Sequence, residues 1–98
     1  MFSMPDKELN VIDFHFQKGN VTNFEGYFTL DSSDSELKEF KKEIRDAKSE
    51  LPKYQLNLTT RDGTRFQVID CWIEKFEFES NDYRYTNCYF MSNEVYQN

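Results

Sequence analysis

The chain has almost no catalytic equipment. It holds one histidine, His15, and two cysteines, Cys71 and Cys88, and it has no glycine-rich phosphate loop. One imidazole and two separated thiols fit no zinc spacing. Two cysteines do not make a disulfide scaffold either, so both are read as reduced thiols. Alanine occurs once, at Ala47, and there are three glycines and two prolines. No apolar stretch approaches membrane-spanning length, and Met1–Asn10 carries no apolar run. No secretory signal or membrane anchor is therefore expected, and the expected location is cytoplasmic.

What the chain does have is aromatic bulk and negative charge. Seventeen of the 98 residues are aromatic (ten Phe, six Tyr and Trp72), and the formal net charge is −6. Large rings fill a two-layer core without a disulfide or metal staple. The length fits one domain over residues 1–98, with short tails at about 1–8 and 94–98. Rich Lys, Asn, Phe, Tyr and Glu with little Ala, Gly, Pro and Arg suits an AT-rich coding sequence, as in a low-GC bacterium, a phage or another mobile element.

Period-2 patterning gives the strands. Val11–Phe16 reads as the first, and Gly19-Asn20 punctuates a hairpin into a second over Val21–Leu30. Gly26 inside that strand marks a bulge, a bend or a close approach. Asp31-Ser32-Ser33-Asp34 then opens a helix, with Ser33 and Glu36 spaced as a capping box. Leu37, Phe40, Ile44, Ala47 and Leu51 form its apolar stripe. Lys38, Lys41, Lys42, Arg45 and Lys48 solvate its other side, and Pro52 is the expected stop. Tyr54, Leu56 and Leu58 mark a third strand. A turn through Asp62 with Gly63 left-handed sets Leu58 opposite Phe66 and Leu56 opposite Val68. The fourth strand begins at Thr64 and runs to about Glu79, Ser80-Asn81-Asp82 turns the chain, and Tyr83–Met91 is the fifth.

The expected fold is α+β in the order ββαβββ. One amphipathic helix packs on a curved, mainly antiparallel five-stranded sheet. Strict alternation along the fourth strand puts Phe66, Val68 and Trp72 on one face and Ile69, Cys71 and Ile73 on the other. Both faces are then apolar. One helix cannot cover two faces, so curling of the sheet, self-association or a partner must cover the second.

Chemistry has little to work with. His15 with Asp13 needs a nucleophile, and no spacing brings a cysteine to it. Asp31, Asp34 and Glu36 lack the glycine and terminal glutamate of a calcium loop, and capping explains them. No catalytic residue, metal ligand or cofactor is assigned. Five of the twelve basic residues sit on the helix, diluted by acids, which argues against nucleic acid.

Glu74, Glu77, Glu79 and Asp82 surround Phe76 and Phe78, with Tyr83 and Tyr85 past the next turn. Carboxylates beside rings suit a basic protein surface, charge steering the encounter and rings anchoring it. The same pattern also suits an ordinary strand with a solvated face. The expectation is a non-enzymatic, protein-binding domain that inhibits or neutralises a partner, as a phage-encoded inhibitor or an immunity-type protein does. Its contact surface is Ile73, Glu74, Phe76, Glu77, Glu79, Asp82, Tyr83 and Tyr85. The alternative is a structural or assembly subunit that uses Ile69, Cys71 and Ile73 for self-contact, for instance in a homodimer.

Overall fold

The computed structural model describes residues 6–20, 23–47 and 50–98. One helix packs on a curved, mixed sheet. The elements are β1 (Asp6–Asn10), β2 (Asp13–Lys18), β3 (Phe24–Asp31), α1 (Ser35–Asp46), β4 (Tyr54–Thr59), β5 (Arg65–Glu79), β6 (Asp82–Ser92) and β7 (Glu94–Gln97). Strand order is β1-β4-β5-β6-β3-β2, and β7 also pairs with β5. The sheet thus has seven strands rather than five. It is mixed rather than all antiparallel, because β1 lies parallel to β4.

The extra strands come from kinks in two long runs. In the first, β1 pairs with β4 while β2 pairs with β3. The bend between them is pinned on both sides, with Val11 N–H donating to Thr59 O at 2.9 Å and Ile12 N–H to Thr29 O at 2.8 Å. One kinked run therefore reaches both edges of the sheet and rolls it toward a barrel. In the second, β6 and β7 follow each other along β5, and Asn93 N–H donates to Ile69 O at 3.1 Å between them. Residues 6–8 and 94–97 are accordingly strand, not tail.

Gly26 is needed where the backbone of β2 passes close to β3. A Cβ there would sit 2.0 Å from the His15 carbonyl oxygen. Residues 21–22, the expected start of the second strand, and Lys48 lie outside the described residues.

The helix begins differently from the expected capping box. Asp34 is the N-cap and accepts Glu36 N–H at 2.8 Å. Ser33 instead donates its N–H and O–H to Asp31, which holds that carboxyl below its ordinary range. The helix also stops at Asp46, six residues before Pro52, with Ala47 in an extended conformation. Leu51 is therefore off the helix and exposed.

Leu37 and Phe40 are buried and Ile44 packs on the core's edge. Ring contacts run unbroken from exposed Phe16 into the interior through Phe14, Phe90, Phe28, Phe40 and Tyr54, with centroids 5.0–6.2 Å apart. These rings fill the space between helix and rolled sheet, which is why a chain with one alanine builds a closed core.

The hairpin register is the expected one: Leu58 faces Phe66 and Leu56 faces Val68, with Gly63 at φ +87°. The doubly apolar fourth strand is not found. Between Val68 and Cys71 the register slips by one residue, and Asp70 adopts φ +53°. Such a bulge turns the following side chains over. Val68, Cys71 and Ile73 therefore share the buried side, while Ile69 and Trp72 are half-buried. Cys71 and Ile73 thus lie in the core while Ile69 does not, so these three side chains do not share one face as strict alternation had them.

Candidate functional site

A second slip between Ile73 and Lys75 turns β5 over once more. Phe76 returns to the inner side, packs on the core and lies under Lys41, whose Nζ is 5.5 Å from the ring centroid. Of the eight residues expected to form a contact surface, Ile73 is fully buried and Phe76 half-buried beneath the helix. Glu74, Glu77 and Tyr83 are exposed, and Glu79, Asp82 and Tyr85 are half-buried. The set is therefore not one patch, and Ile73 is withdrawn from it.

The β5–β6 hairpin tip keeps part of the surface and adds Phe78. Two residues on, Phe78 falls on the same side of the strand as Phe76 yet is 55% exposed. Asn81 takes the left-handed turn position at φ +63°. Tyr83, at 77% exposure, meets the Phe78 ring at 5.1 Å and 90°. Two large rings are thus edge-to-face in solvent, beside Glu77, Glu79 and Asp82.

Two carboxylates at the tip already hold cations of the same chain. Lys75 Nζ lies 3.1 Å from Glu77 Oε1, and Arg84 Nη2 lies 2.8 Å from Asp82 Oδ2. Hydrogen bonds from Arg84 keep the Asp82 carboxyl below its ordinary range. Both pairs are open to solvent on at least one side, where such bridges exchange readily.

The second surface feature is a row of side chains across four strands. Register sets His15 opposite Tyr27, Tyr27 opposite Tyr89, and Tyr89 opposite Lys75. The His15 and Tyr27 rings are 4.9 Å apart and the two tyrosines 5.4 Å. Lys75 Nζ lies 4.8 Å from the Tyr89 centroid. Asp13 Oδ2 is 2.9 Å from His15 Nε2. Burial, reinforced by the Asp13 and Glu79 carboxylates, raises the Tyr27 pKa, so this phenol stays neutral. The row floors an open groove of about 510 Å³ that Glu25 and Glu74 also line. His15, Tyr27 and Tyr89 belong to three different strands. Their alignment is a matter of register, which only the pairing supplies.

The thiols take no part in either feature. Cys71 and Cys88 are buried on the inner side, and burial pushes Cys88 up to about 12 and Cys71 higher still. His15 lies on the outer side, so it has no thiol to activate. Among the described residues no group of three or more His, Cys, Asp or Glu could hold a metal ion. No helix among them is long and apolar enough to cross a membrane.

Comparison with protein-family models, with curated proteins and with solved structures finds no match for this chain.

Proposed function

We propose that the protein is a small acidic binding domain that docks on a basic surface of a partner protein through the β5–β6 hairpin tip, and so inhibits or neutralises that partner. The observation that carries this reading is the exposed Phe78–Tyr83 pair. Rings in solvent contribute little to folding, whereas in an interface they act as large, stiff anchors. The surrounding acids and the net charge of −6 favour encounter with a basic partner.

The test is capture from a lysate of the source organism or its host, with two variants alongside. Phe78→Ser/Tyr83→Ser removes the anchors, and Glu77→Lys/Glu79→Lys reverses the steering charge. A stoichiometric partner held by the unaltered protein and released by both folded variants supports the reading. Capture that survives both variants removes the tip from the interface.

A further inference from the structure

The aromatic row across β2, β3, β6 and β5 has its own recognition chemistry, separate from that of the tip. We infer that the groove floored by Tyr27 and Tyr89 seats the guanidinium of an arginine side chain, carried by an extended basic segment of a partner protein. As a contact for a basic partner this rests on the reading above, so its test does not depend on the hairpin tip.

Three observations select the ligand. An aromatic face attracts a cation that lies within about 6 Å of the ring centroid. The groove already holds one such contact, with Lys75 Nζ 4.8 Å from the Tyr89 centroid and tethered by Glu77 at 3.1 Å. Next in the row comes Tyr27, with His15 beyond it and Asp13 bonded to His15.

Charge excludes the other ligand classes. Glu25 and Glu74 line the groove, against the single cation Lys75, and the whole chain carries −6. A phosphate or a nucleic acid would meet repulsion there, and a neutral ligand would leave the carboxylates unused. A planar, weakly hydrated guanidinium stacks on rings and forks to carboxylates, whereas an ammonium is a point charge that keeps its water. The groove runs across the strands and is open to solvent, so a side chain laid along it fits better than an enclosed small molecule.

Cross-strand ring pairs also stabilise a sheet, so binding and stability must be measured separately. The full chain, isotopically labelled, is titrated with an unstructured tetra-arginine peptide at moderate salt, with tetraglutamate as the control. Saturable shifts centred on the Tyr27, Tyr89 and His15 ring resonances are expected with tetra-arginine only. Binding should weaken about tenfold in Tyr27→Leu, as loss of a partly desolvated cation–π contact implies. Tyr27→Phe keeps the ring face and should keep the affinity.

Glu25→Gln/Glu74→Gln supplies a second, fold-sparing variant that should also weaken binding. Phe78→Ser/Tyr83→Ser should leave the peptide affinity unchanged, so failure of the tip and failure of the row are read independently. The inference is overturned if the shifts do not saturate or centre on the helix carboxylates. It is also overturned if Glu25→Gln/Glu74→Gln and a folded Tyr27→Leu both bind the peptide as the unaltered protein does.

Discussion

Asn93 donates its side-chain N–H to Asp70 Oδ2 at 2.7 Å, joining a bulge in one strand to a break between two others. Asp70 sits at the bulge that turns β5 over, and Asn93 at the break between β6 and β7. A non-glycine residue at φ +53° carries a backbone penalty of about 1–2 kcal/mol. Aspartate tolerates that region better than most residues, and its carboxylate is held across the sheet by Asn93. Asn93→Ala should cost about 1 kcal/mol in urea unfolding. Asp70→Gly should be near neutral, because relief of the backbone offsets the lost bond. Asp70→Val should cost more than either, since a β-branched side chain resists positive φ. Equal losses for Gly and Val would mean that the backbone at this position is not strained.

That bulge marks where sequence reading ran out. Alternation assumes that every residue advances the strand by one step, and a bulge breaks the count without a glycine to announce it. Val68 and Ile73 have opposite parity yet share the core. The supposed second apolar face was one face counted across a slip. Short edge strands were equally hidden: Asp6–Asn10 and Glu94–Gln97 are too polar and too brief for a period to show. Lys7 shows the consequence. Placed in an expected tail, it lies within 3.6 Å of Glu36, Glu39 and Glu43 and above the Phe40 and Tyr54 rings, tying β1 to the helix. Two local signals did match the structure. Gly63 fixed the β4–β5 register, and the Leu37–Phe40–Ile44 spacing fixed the helix face. For the candidate sites, Tyr83 and the acids around it were legible. Phe78 lies among those acids but outside the expected contact set, and its 55% exposure shows only in the folded hairpin.

The helix contacts grade the cost of truncation. Phe40 is fully buried between Phe28 and Tyr54, so Phe40→Ala should cost about 3–5 kcal/mol. Ile44 is only partly covered, and Ile44→Ala should cost about half as much. Lys41 is exposed and lies over Phe76, so Lys41→Ala should change stability by less than about 0.5 kcal/mol. Chemical denaturation of the three variants checks the order. A Lys41 loss as large as that of Phe40 would refute the packing.

Two glycines should respond very differently to the same methyl group. At Gly63 nothing lies within 4 Å of the new Cβ, and only φ +87° opposes it. Gly63→Ala should therefore cost about 1 kcal/mol. At Gly26 the Cβ would fall 2.0 Å from the His15 carbonyl oxygen and 2.7 Å from the Phe16 Cα, both backbone. Neither atom can move without opening the β2–β3 ladder. Gly26→Ala should cost more than about 3 kcal/mol or abolish folding, read as loss of the cooperative thermal transition.

Alkaline stability follows from three buried protons. Burial raises the pKa values of Cys71, Cys88 and Tyr54, Cys88 to about 12. The Tyr54 hydroxyl also donates to Glu43 at 2.9 Å, a bond that the phenolate would lose. A group that holds its proton more tightly folded than unfolded contributes fully below its unfolded pKa. The contribution is lost as pH rises toward the folded value. Unfolded thiols titrate near about 8.5 and unfolded tyrosine near about 10, so stability should fall in two stages from those points. Urea midpoints measured from pH 7 to 11 should decline from about pH 8.5 in the unaltered protein. The Cys71→Ala/Cys88→Ala variant starts less stable but should hold its midpoint until about pH 10, where Tyr54 begins to contribute. Tyr54→Phe should keep the first stage and blunt the second. A flat profile through pH 10.5 in the unaltered protein would mean that the thiols and the phenol ionise in place, and that the core around them admits water.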